Sequence, residues 1–384
     1  MKQARTVLPT YSADTFGVCS ALYELGGLLV MHDASGCNST YSTHDEPRWY
    51  RSDSLVFISG LTEMDAVLGN DEKLLRDMRA TIQEQHPAFA AIIGTPIPML
   101  TGFDYTAIAA ELENTSGIPC FGFPTNGMRS YLCGASDALA AVARRMTAPT
   151  AQTRPRSVNI LGATPLDFSL SGTVPSIRNY LSDNGWNVIG CWAMDTDLQT
   201  LSRAGEAQVN LVISAVGLQT ANILQQKFGT PYVIGTPIGS AFSSVILKNL
   251  EATAADRNNR CAFSESIPHA DSRFFIIGES FISRSLAAAI SMEYGIVPNI
   301  IHPLELRPEM DGILSAADIL AAEEEEIQAA CKYAEIVIAD PLYQPILPHT
   351  CRFFPFPHEA FSGRMFRKNI PDLTKITLRK EASL

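Results

Sequence analysis

Short apolar runs that end at glycine or proline recur along the chain. Each run has the length of a strand that is buried on both faces, and a turn signal follows it. The runs lie at 89–96, 118–125, 157–164, 187–193, 209–217, 231–237, 273–280 and 335–341. The segments between them have helical patterns, so the alternation predicts βαβ units and mainly parallel sheets.

Two of the intervening segments predict helices with defined ends or faces. Over residues 72–85 the apolar side chains fall on one helical face. These side chains are Leu74, Leu75, Met78 and Ile82. Residues 136–146 predict a second helix, because Ser136 is a favourable N-cap and an apolar face follows it.

A repeated motif and two polar stretches indicate how the chain is divided. The sequence Ile-Gly-Thr-Pro-Ile occurs at 93–97 and again at 234–238, each time after an apolar run. This repeat suggests subdomains of one design, each with a loop at the carboxyl edge of its sheet. Polar stretches at 147–157 and 254–260 indicate boundaries. A chain of 384 residues accommodates two or three such subdomains.

Charge and composition exclude several classes of function. The net charge of −11 argues against nucleic-acid binding, which requires clustered positive charge. No apolar stretch reaches the roughly 18 residues of a membrane span, and the N-terminal residues lack the apolar region of a signal peptide. We therefore expect a cytoplasmic protein that binds neither membrane nor nucleic acid. In that compartment its eight cysteines are reduced thiols or metal ligands.

Two cysteines are candidate metal ligands. Cys19 and Cys37 lie on either side of the apolar run 28–31, and Cys37 follows Gly36 directly. Thiolates at loop ends beside an apolar strand are suited to an iron–sulfur cluster, and a glycine lets backbone amides approach its sulfides. A buried free cysteine with only a packing role is the alternative. Cys133 is a weaker candidate ligand before a helix start, and the remaining cysteines are interpreted as structural.

Polar residues near these cysteines allow two interpretations each. His32 precedes the Cys37 loop and either contacts a cluster and relays protons or orients a tight turn. Residues 44–50, which include Glu46, Arg48 and aromatic residues, form either a solvated loop or a docking surface. Glu63 and Asp65 are interpreted as helix-capping residues. The chain has no GxxxxGK[ST] loop, so we do not expect it to bind ATP itself.

The order of these motifs resembles the nitrogenase component 1 superfamily. That superfamily includes the molybdenum–iron protein subunits, a cofactor-assembly scaffold, dark-operative protochlorophyllide reductase and a nickel-tetrapyrrole reductive cyclase. The matching pieces are Cys19, the HDASGC segment ending at Cys37, and the acidic motif 63–70 that leads into Lys73 and Leu74. Later segments at 94–113, 278–296 and 356–366 also resemble the family.

The resemblance implies an α/β fold of three Rossmann-like subdomains with mainly parallel sheets. It places a cluster-binding subdomain at 1–147, a second at 157–260, and a third with a C-terminal tail at 272–384. It also implies a homodimer, or a heterodimer or heterotetramer with a paralogous subunit. In that family, electrons come from a separate ATP-dependent iron–sulfur reductase that resembles the nitrogenase iron protein.

Departures from the family pattern limit the function. Thr95, before Pro96, occupies the cofactor-binding position of the family's third cluster cysteine. The cysteine that anchors the nitrogenase cofactor falls near Ser214, so reduction of N2 is not expected. A cluster with four cysteines could still form if two subunits each contributed Cys19 and Cys37 across a two-fold axis.

The sequence therefore predicts an oxidoreductase, the catalytic subunit of a nitrogenase-like two-component reductase. Electrons would pass through a [4Fe–4S] cluster to a small organic substrate such as a tetrapyrrole. Two alternatives stay open: a scaffold on which a metallocofactor is assembled, and a cluster-free structural partner of a paralogous subunit. The sequence identifies no catalytic proton donor.

Overall fold

The computed structural model describes residues 6, 12–34, 45–149, 152–263 and 273–377. Its strands form three sheets, and all neighbouring strands within each sheet run parallel. Parallel neighbours need crossover connections, which helices and long turns supply here. The predicted α/β fold of three Rossmann-like units is confirmed. Among the described residues, no helix combines the length and apolar character needed to cross a bilayer.

The first sheet has the strand order β2-β1-β3-β4. Its strands are β1 (Leu28–Met31), β2 (Leu55–Ile58), β3 (Ala90–Ile93) and β4 (Cys120–Phe123). The helices of this part of the chain are α1 (Asp14–Leu22), α2 (Glu63–Leu68), α3 (Asp71–Gln85), α4 (Pro96–Thr101), α5 (Tyr105–Ser116) and α6 (Tyr131–Arg145).

The second sheet has the strand order β6-β5-β7-β8-β9. Its strands are β5 (Ser157–Leu161), β6 (Asn187–Cys191), β7 (Val209–Val212), β8 (Tyr232–Ile234) and β9 (Arg260–Cys261). The accompanying helices are α7 (Pro165–Phe168), α8 (Thr173–Asp183), α9 (Leu198–Ser202), α10 (Leu218–Phe228) and α11 (Gly239–Asp256).

The third sheet has the strand order β12-β11-β10-β13-β14. Its strands are β10 (Phe274–Ile277), β11 (Asn299–His302), β12 (Ile319–Leu320), β13 (Ile336–Ala339) and β14 (Arg352–Pro355). The accompanying helices are α12 (Ser280–Tyr294), α13 (Glu324–Ala330) and α14 (Glu359–Ser362).

All eight apolar runs identified in the sequence contain a strand, and residues 71–85 form the predicted helix with its apolar face buried. The start predicted for the helix over residues 136–146 is wrong. Helix α6 begins at Tyr131, with Ser130 as its N-cap residue. Ser136 is fully buried in the helix interior, where its hydroxyl donates to the Val216 carbonyl at 3.2 Å. A serine inside a helix is therefore used here for a contact with another subdomain.

Helices α1 and α6 pack with their backbones almost in contact. A Cβ atom built on Gly134 would lie 1.8 Å from the Asp14 carbonyl oxygen, and one on Gly17 would lie 2.1 Å from the Tyr131 carbonyl oxygen. No side chain fits at either position, so both glycines are required for this packing. The close packing fixes α1, which carries Cys19, on the body of the first subdomain.

Candidate functional site

Of the predicted site residues that the structure describes, Thr95 lies at the carboxyl edge of the first sheet, and Cys19 lies in a helix whose first turn contacts that edge. Cys19 lies in α1, and Thr95 directly follows β3 as the N-cap residue of α4. Thr15, in the first turn of α1, donates its hydroxyl to the Gly94 carbonyl at 2.8 Å. The structure therefore fastens the Cys19 helix to the loop that carries Thr95. The other two predicted site residues, Gly36 and Cys37, lie outside the described residues.

Thr95 has a structural role that recurs in the second subdomain. Its buried hydroxyl donates to the His32 carbonyl, just past the end of β1, at 2.7 Å. Thr236, the equivalent residue of the repeated motif, donates to the Ile213 carbonyl, just past the end of β7, at 2.7 Å. In both subdomains, therefore, the threonine hydroxyl links the loop after one strand to the backbone just past the end of the neighbouring strand. A contact between Thr95 and a cofactor stays a prediction.

Cys19 is enclosed by protein. Its side chain is fully buried, and burial raises the pKa of the thiol strongly, with a further increase from the negative charge of Glu46. Within the described part of the chain, no group of three or more metal-ligating side chains is brought together. The described residues therefore assemble no cluster site around Cys19, and its role as a cluster ligand stays a prediction.

A buried arginine clamps the region of Cys19 to the second subdomain. Arg48 donates to the carbonyl oxygens of Ser20 and Ala193, each at 2.7 Å. It also pairs with Glu46 at 2.7 Å and with Glu24 at 3.0 Å. The interpretation of this segment as a solvated loop is wrong for Glu46 and Arg48, because both are buried. The hydrogen-bond partners of Arg48 lie up to 145 positions away in the sequence, so no local sequence pattern indicated this role.

The buried carboxylate of Asp14 holds the N-terminal end of α1, the helix that carries Cys19. Asp14 is fully buried and accepts hydrogen bonds from the backbone N–H groups of Gly127, at 2.8 Å, and Asn126, at 3.2 Å. The Arg129 guanidinium lies 3.4 Å from its second oxygen. Asp14 therefore ties α1 to the loop after β4. Asp14 was not among the predicted site residues, although an acidic residue at the start of an apolar helix is a recognised signal of a helix N-terminus.

His32 has the environment of a structural, uncharged imidazole. Its Nδ1 lies 2.9 Å from the Ser59 hydroxyl, and its ring packs on Phe103 with centroids 4.5 Å apart. Burial lowers its pKa to about 4. At neutral pH the ring is therefore uncharged, which favours the turn-orienting interpretation over proton relay.

The acidic motif forms a short exposed helix at the same sheet edge. Thr62 and Asp65 form a capping box at the start of α2, and Lys73 pairs with Asp65 at 2.9 Å. The hydrogen bonds from Thr62 and Lys73 lower the pKa of the Asp65 carboxyl well below its usual range. Asp65 is therefore the capping residue that the motif predicted, and it fixes α2 against α3.

Helices α2 and α4 pack against each other and present apolar side chains to solvent. We call this the edge surface; it consists of Met64, Val67, Leu68, Ile97, Met99 and Leu100, which are 36–81% exposed. Apolar side chains that cluster on a surface usually mark a contact with another molecule. The edge surface follows β2 and β3, so it lies on the side of the sheet where Thr95 lies.

A pocket of about 280 Å³ lies between α1, α7 and α14. It is lined by Ser12, Phe16, Asp45, Leu166, Glu359, Ser362, Gly363, Arg364 and Met365. Its volume is just below the roughly 300–1,000 Å³ of typical small-molecule sites. The pocket draws residues from all three subdomains.

The fold and these contacts define a class of protein with three Rossmann-like units, in which the helix that carries Cys19 is tied to the carboxyl edge of the first sheet. The family model for "Nitrogenase component 1 type Oxidoreductase" matches residues 15–276. That match covers more than half of the chain. The chain therefore belongs to the nitrogenase component 1 type oxidoreductase family.

Curated relatives fall into two functional groups. The NifE nitrogenase iron-molybdenum cofactor biosynthesis protein of Rhodobacter capsulatus is 27% identical over 218 residues, which cover 53% of this chain and 44% of that protein. One subunit of the light-independent protochlorophyllide reductase of Chlorobium luteolum is 30% identical over 171 residues, covering 42% of this chain and 31% of that relative. The matches span less than half the length of either relative.

Solved structures show the same fold. The structure described as nitrogenase Cp1 at pH 5 has a TM-score of 0.61 and 15% sequence identity, covering 88% of this chain and 81% of that chain. The corresponding structure at pH 6.5 has a TM-score of 0.57, with 86% and 73% covered. At this identity the likeness concerns the fold alone.

Proposed function

We propose that this chain is the cluster-bearing catalytic subunit of a nitrogenase-like two-component reductase. The observation that carries the proposal is the position of Cys19. Its helix is tied by Asp14 and Thr15 at its start, beside the carboxyl edge of the first sheet, and by Arg48 near its end. In the sequence, Cys37 follows Met31, the last residue of β1, by six positions. The family membership supports a redox role for this pair.

The cluster would be a [4Fe–4S] centre held by Cys19 and Cys37 from each of two chains. A bound metal deprotonates a coordinating thiol, so metal binding would reverse the effect of burial on Cys19. The ion pair between Arg48 and Glu46 partly offsets the charge of the carboxylate nearest to Cys19. Because one chain supplies two of the four thiolates, a second copy or a paralogous subunit is needed to complete the site.

The edge surface is the proposed contact with that second subunit. Helix α2 has no buried residue within this chain, and Leu68 and Leu100 are 71% and 80% exposed. Burial of these side chains against a partner subunit is favourable, because it removes apolar surface from water. A shared cluster requires that this contact bring the two cysteine pairs towards each other.

Electrons would come from an ATP-dependent iron–sulfur reductase, because this chain has no phosphate-binding loop of its own. The relative that reduces protochlorophyllide suggests a tetrapyrrole as substrate. The pocket of about 280 Å³ is too small for a macrocycle of that size as it stands. A tetrapyrrole would therefore need a wider opening between the subdomains or a wall contributed by the partner subunit.

A scaffold for metallocofactor assembly is the second candidate. It is favoured by the similarity to NifE and by Thr95, whose hydroxyl is already engaged with the His32 carbonyl. A scaffold must release its cargo, whereas an electron-transfer subunit must retain its cluster through repeated reduction.

The experiment that separates these roles uses the chain loaded with iron and sulfide under anaerobic conditions. For the reductase, we expect reversible one-electron reduction by dithionite, with the iron retained after incubation with an apo-ferredoxin acceptor. Transfer of most of the iron to the acceptor would contradict the reductase and support the scaffold.

A further inference from the structure

The outer strand β4 of the first sheet has an ion pair lying across its free edge. Among the described strands β4 is last in the order β2-β1-β3-β4, so β3 is its one neighbour there. The carbonyl oxygens of Pro119 and Phe123 accept hydrogen bonds from N–H groups at the start and just past the end of β3, at 3.0 and 2.9 Å. Because backbone direction alternates along a strand, the N–H and C=O groups of Cys120 and Gly122 point away from β3.

Glu113 and Arg145 bind both outward backbone groups of Cys120. Glu113 Oε2 accepts a hydrogen bond from the Cys120 N–H at 2.9 Å, and Arg145 Nη1 donates to the Cys120 carbonyl at 2.8 Å. The guanidinium and the carboxylate also pair with each other at 2.8 Å. A neighbouring strand would form its ladder through these same N–H and C=O groups. The ion pair therefore occupies the place of a further strand.

The two side chains reach this edge from opposite faces of the sheet. Helix α5 carries Glu113, and its Leu112 packs in the same core as Cys120. Helix α6 carries Arg145 in its last turn and packs in the main core together with Phe121. The Arg145 guanidinium lies 5.0 Å from the centre of the Phe121 ring, which holds it over the strand. The pair therefore closes over the rim of the sheet.

A contribution to folding stability does not account for this pair. The side chains of Arg145 and Glu113 are 42% and 38% exposed, and ion pairs this exposed contribute little to stability. The Cys120 N–H, and secondly the Arg145 guanidinium, lower the pKa of the Glu113 carboxyl, so it stays charged below the pH at which an ordinary glutamate is neutralised. What distinguishes the pair is its contact with the strand backbone.

Strand β4 is of a kind that pairs readily with further strands. Its sequence, Cys-Phe-Gly-Phe, carries no charge, and an open edge of an apolar strand is a template for strand addition. Pro124 takes the next outward position and has no N–H, so the outward donors are those of Cys120 and Gly122. A groove of about 380 Å³ beside β4 is lined in part by Gly122, Glu113 and Arg145. Removal of the pair would leave room there for a second backbone.

We propose that the Glu113–Arg145 pair is a strand guard, which keeps a second copy of this chain from adding its own β4 to the first sheet. A second copy always presents the same apolar strand at the same edge. Two identical edge strands can pair antiparallel across a two-fold axis. The strand guard thus restricts contact between copies to other surfaces. This inference depends on neither the cluster nor the reductase activity.

The test removes the strand guard with the double substitution Glu113→Ala and Arg145→Ala. All chains compared carry Leu100→Asp, which excludes association through the edge surface. In sedimentation velocity over a range of protein concentrations, the chain without the guard should self-associate about tenfold more strongly or better, because two backbone groups become free to bond between copies. The matched control, Arg79→Ala with Glu111→Ala, removes an ion pair at 3.1 Å between α3 and α5 and should not change association.

Amide hydrogen exchange shows where the copies meet. Exchange of a peptide covering 118–124 should slow as the concentration of the chain without the guard rises. Association of the folded double variant that is no stronger than that of the control would overturn the proposal. Stronger association with exchange of 118–124 independent of concentration would overturn it as well, because the contact would then lie elsewhere. If the double variant does not fold, Glu113→Ala alone frees the Cys120 N–H, and unchanged association of that variant would overturn the proposal.

Discussion

Replacing Arg48 with methionine tests whether the buried clamp organises the region of Cys19. The substitution keeps an unbranched side chain that fills similar space but removes the guanidinium. Glu46, whose side chain is fully buried, loses its ion pair at 2.7 Å, and the Ser20 and Ala193 carbonyls lose their donors. The variant should fold but should be markedly less stable.

The magnitude follows from the burial of the pair. Removing one partner of a buried ion pair costs about 3–5 kcal/mol, because the remaining charge stays in a dry environment. The side chains of Arg48 and Glu46 are only 3% and 0% exposed, so solvent screening provides little relief. The double variant Glu46→Gln with Arg48→Met should recover roughly 2 kcal/mol, since it leaves no uncompensated carboxylate at that position.

Urea unfolding followed by tryptophan fluorescence measures this effect. Trp192 is fully buried and precedes Ala193, so it reports on the contact that Arg48 makes with the second subdomain. Arg51→Met, three positions along at an exposed site, is the matched control and should change the free energy of unfolding by less than about 0.5 kcal/mol. If Arg48→Met lowered the free energy of unfolding by less than about 1 kcal/mol, no more than Arg51→Met does, the stabilising role of the Arg48 contacts would be refuted.

Two further substitutions test the packing of α1 and the edge surface. Gly134→Ala should destabilise the chain by about 1–3 kcal/mol or more in urea unfolding, because its Cβ would lie 1.8 Å from the Asp14 carbonyl oxygen. Gly190→Ala, whose Cβ would be no closer than 3.5 Å to its neighbours, should have little effect, and equal losses for both would contradict the packing argument. Leu100→Asp should weaken self-association at least tenfold in sedimentation experiments, whereas Tyr333→Asp, at a 71% exposed site of the third subdomain, should not. Unchanged association of Leu100→Asp would exclude the edge surface as the subunit contact.

The sequence predicted strands where burial is two-sided. In β1, Leu29 and Met31 pack into the main core, while Leu28 and Val30 pack into the core on the opposite face. Such strands have continuous apolar sequences. The strands β2, β9, β12 and β14, by contrast, are all at sheet edges and contain no buried residue, so they lack that signal.

The candidate site was only partly predictable, because its supporting contacts are long-range. Asp14 reaches a loop 113 positions away, and Arg48 reaches a carbonyl 145 positions away. Short motifs cannot encode such contacts. The capping role of Asp65 was predictable, since the capping box is complete within four consecutive residues. The start of α6 was predicted at Ser136, whose polar side chain instead forms a hydrogen bond to the second subdomain.

The proposed sharing of an iron–sulfur cluster between two chains depends on Cys19 and Cys37. Its most direct test is the iron and acid-labile sulfide content, with EPR after dithionite reduction, of protein purified without oxygen. We expect about four irons per dimer and a reduced-cluster signal. Cys37→Ser should lose both while the fold persists, and the control Cys351→Ser should keep them. Absence of iron after reconstitution, or full iron in Cys37→Ser, would contradict a cluster shared through Cys19 and Cys37.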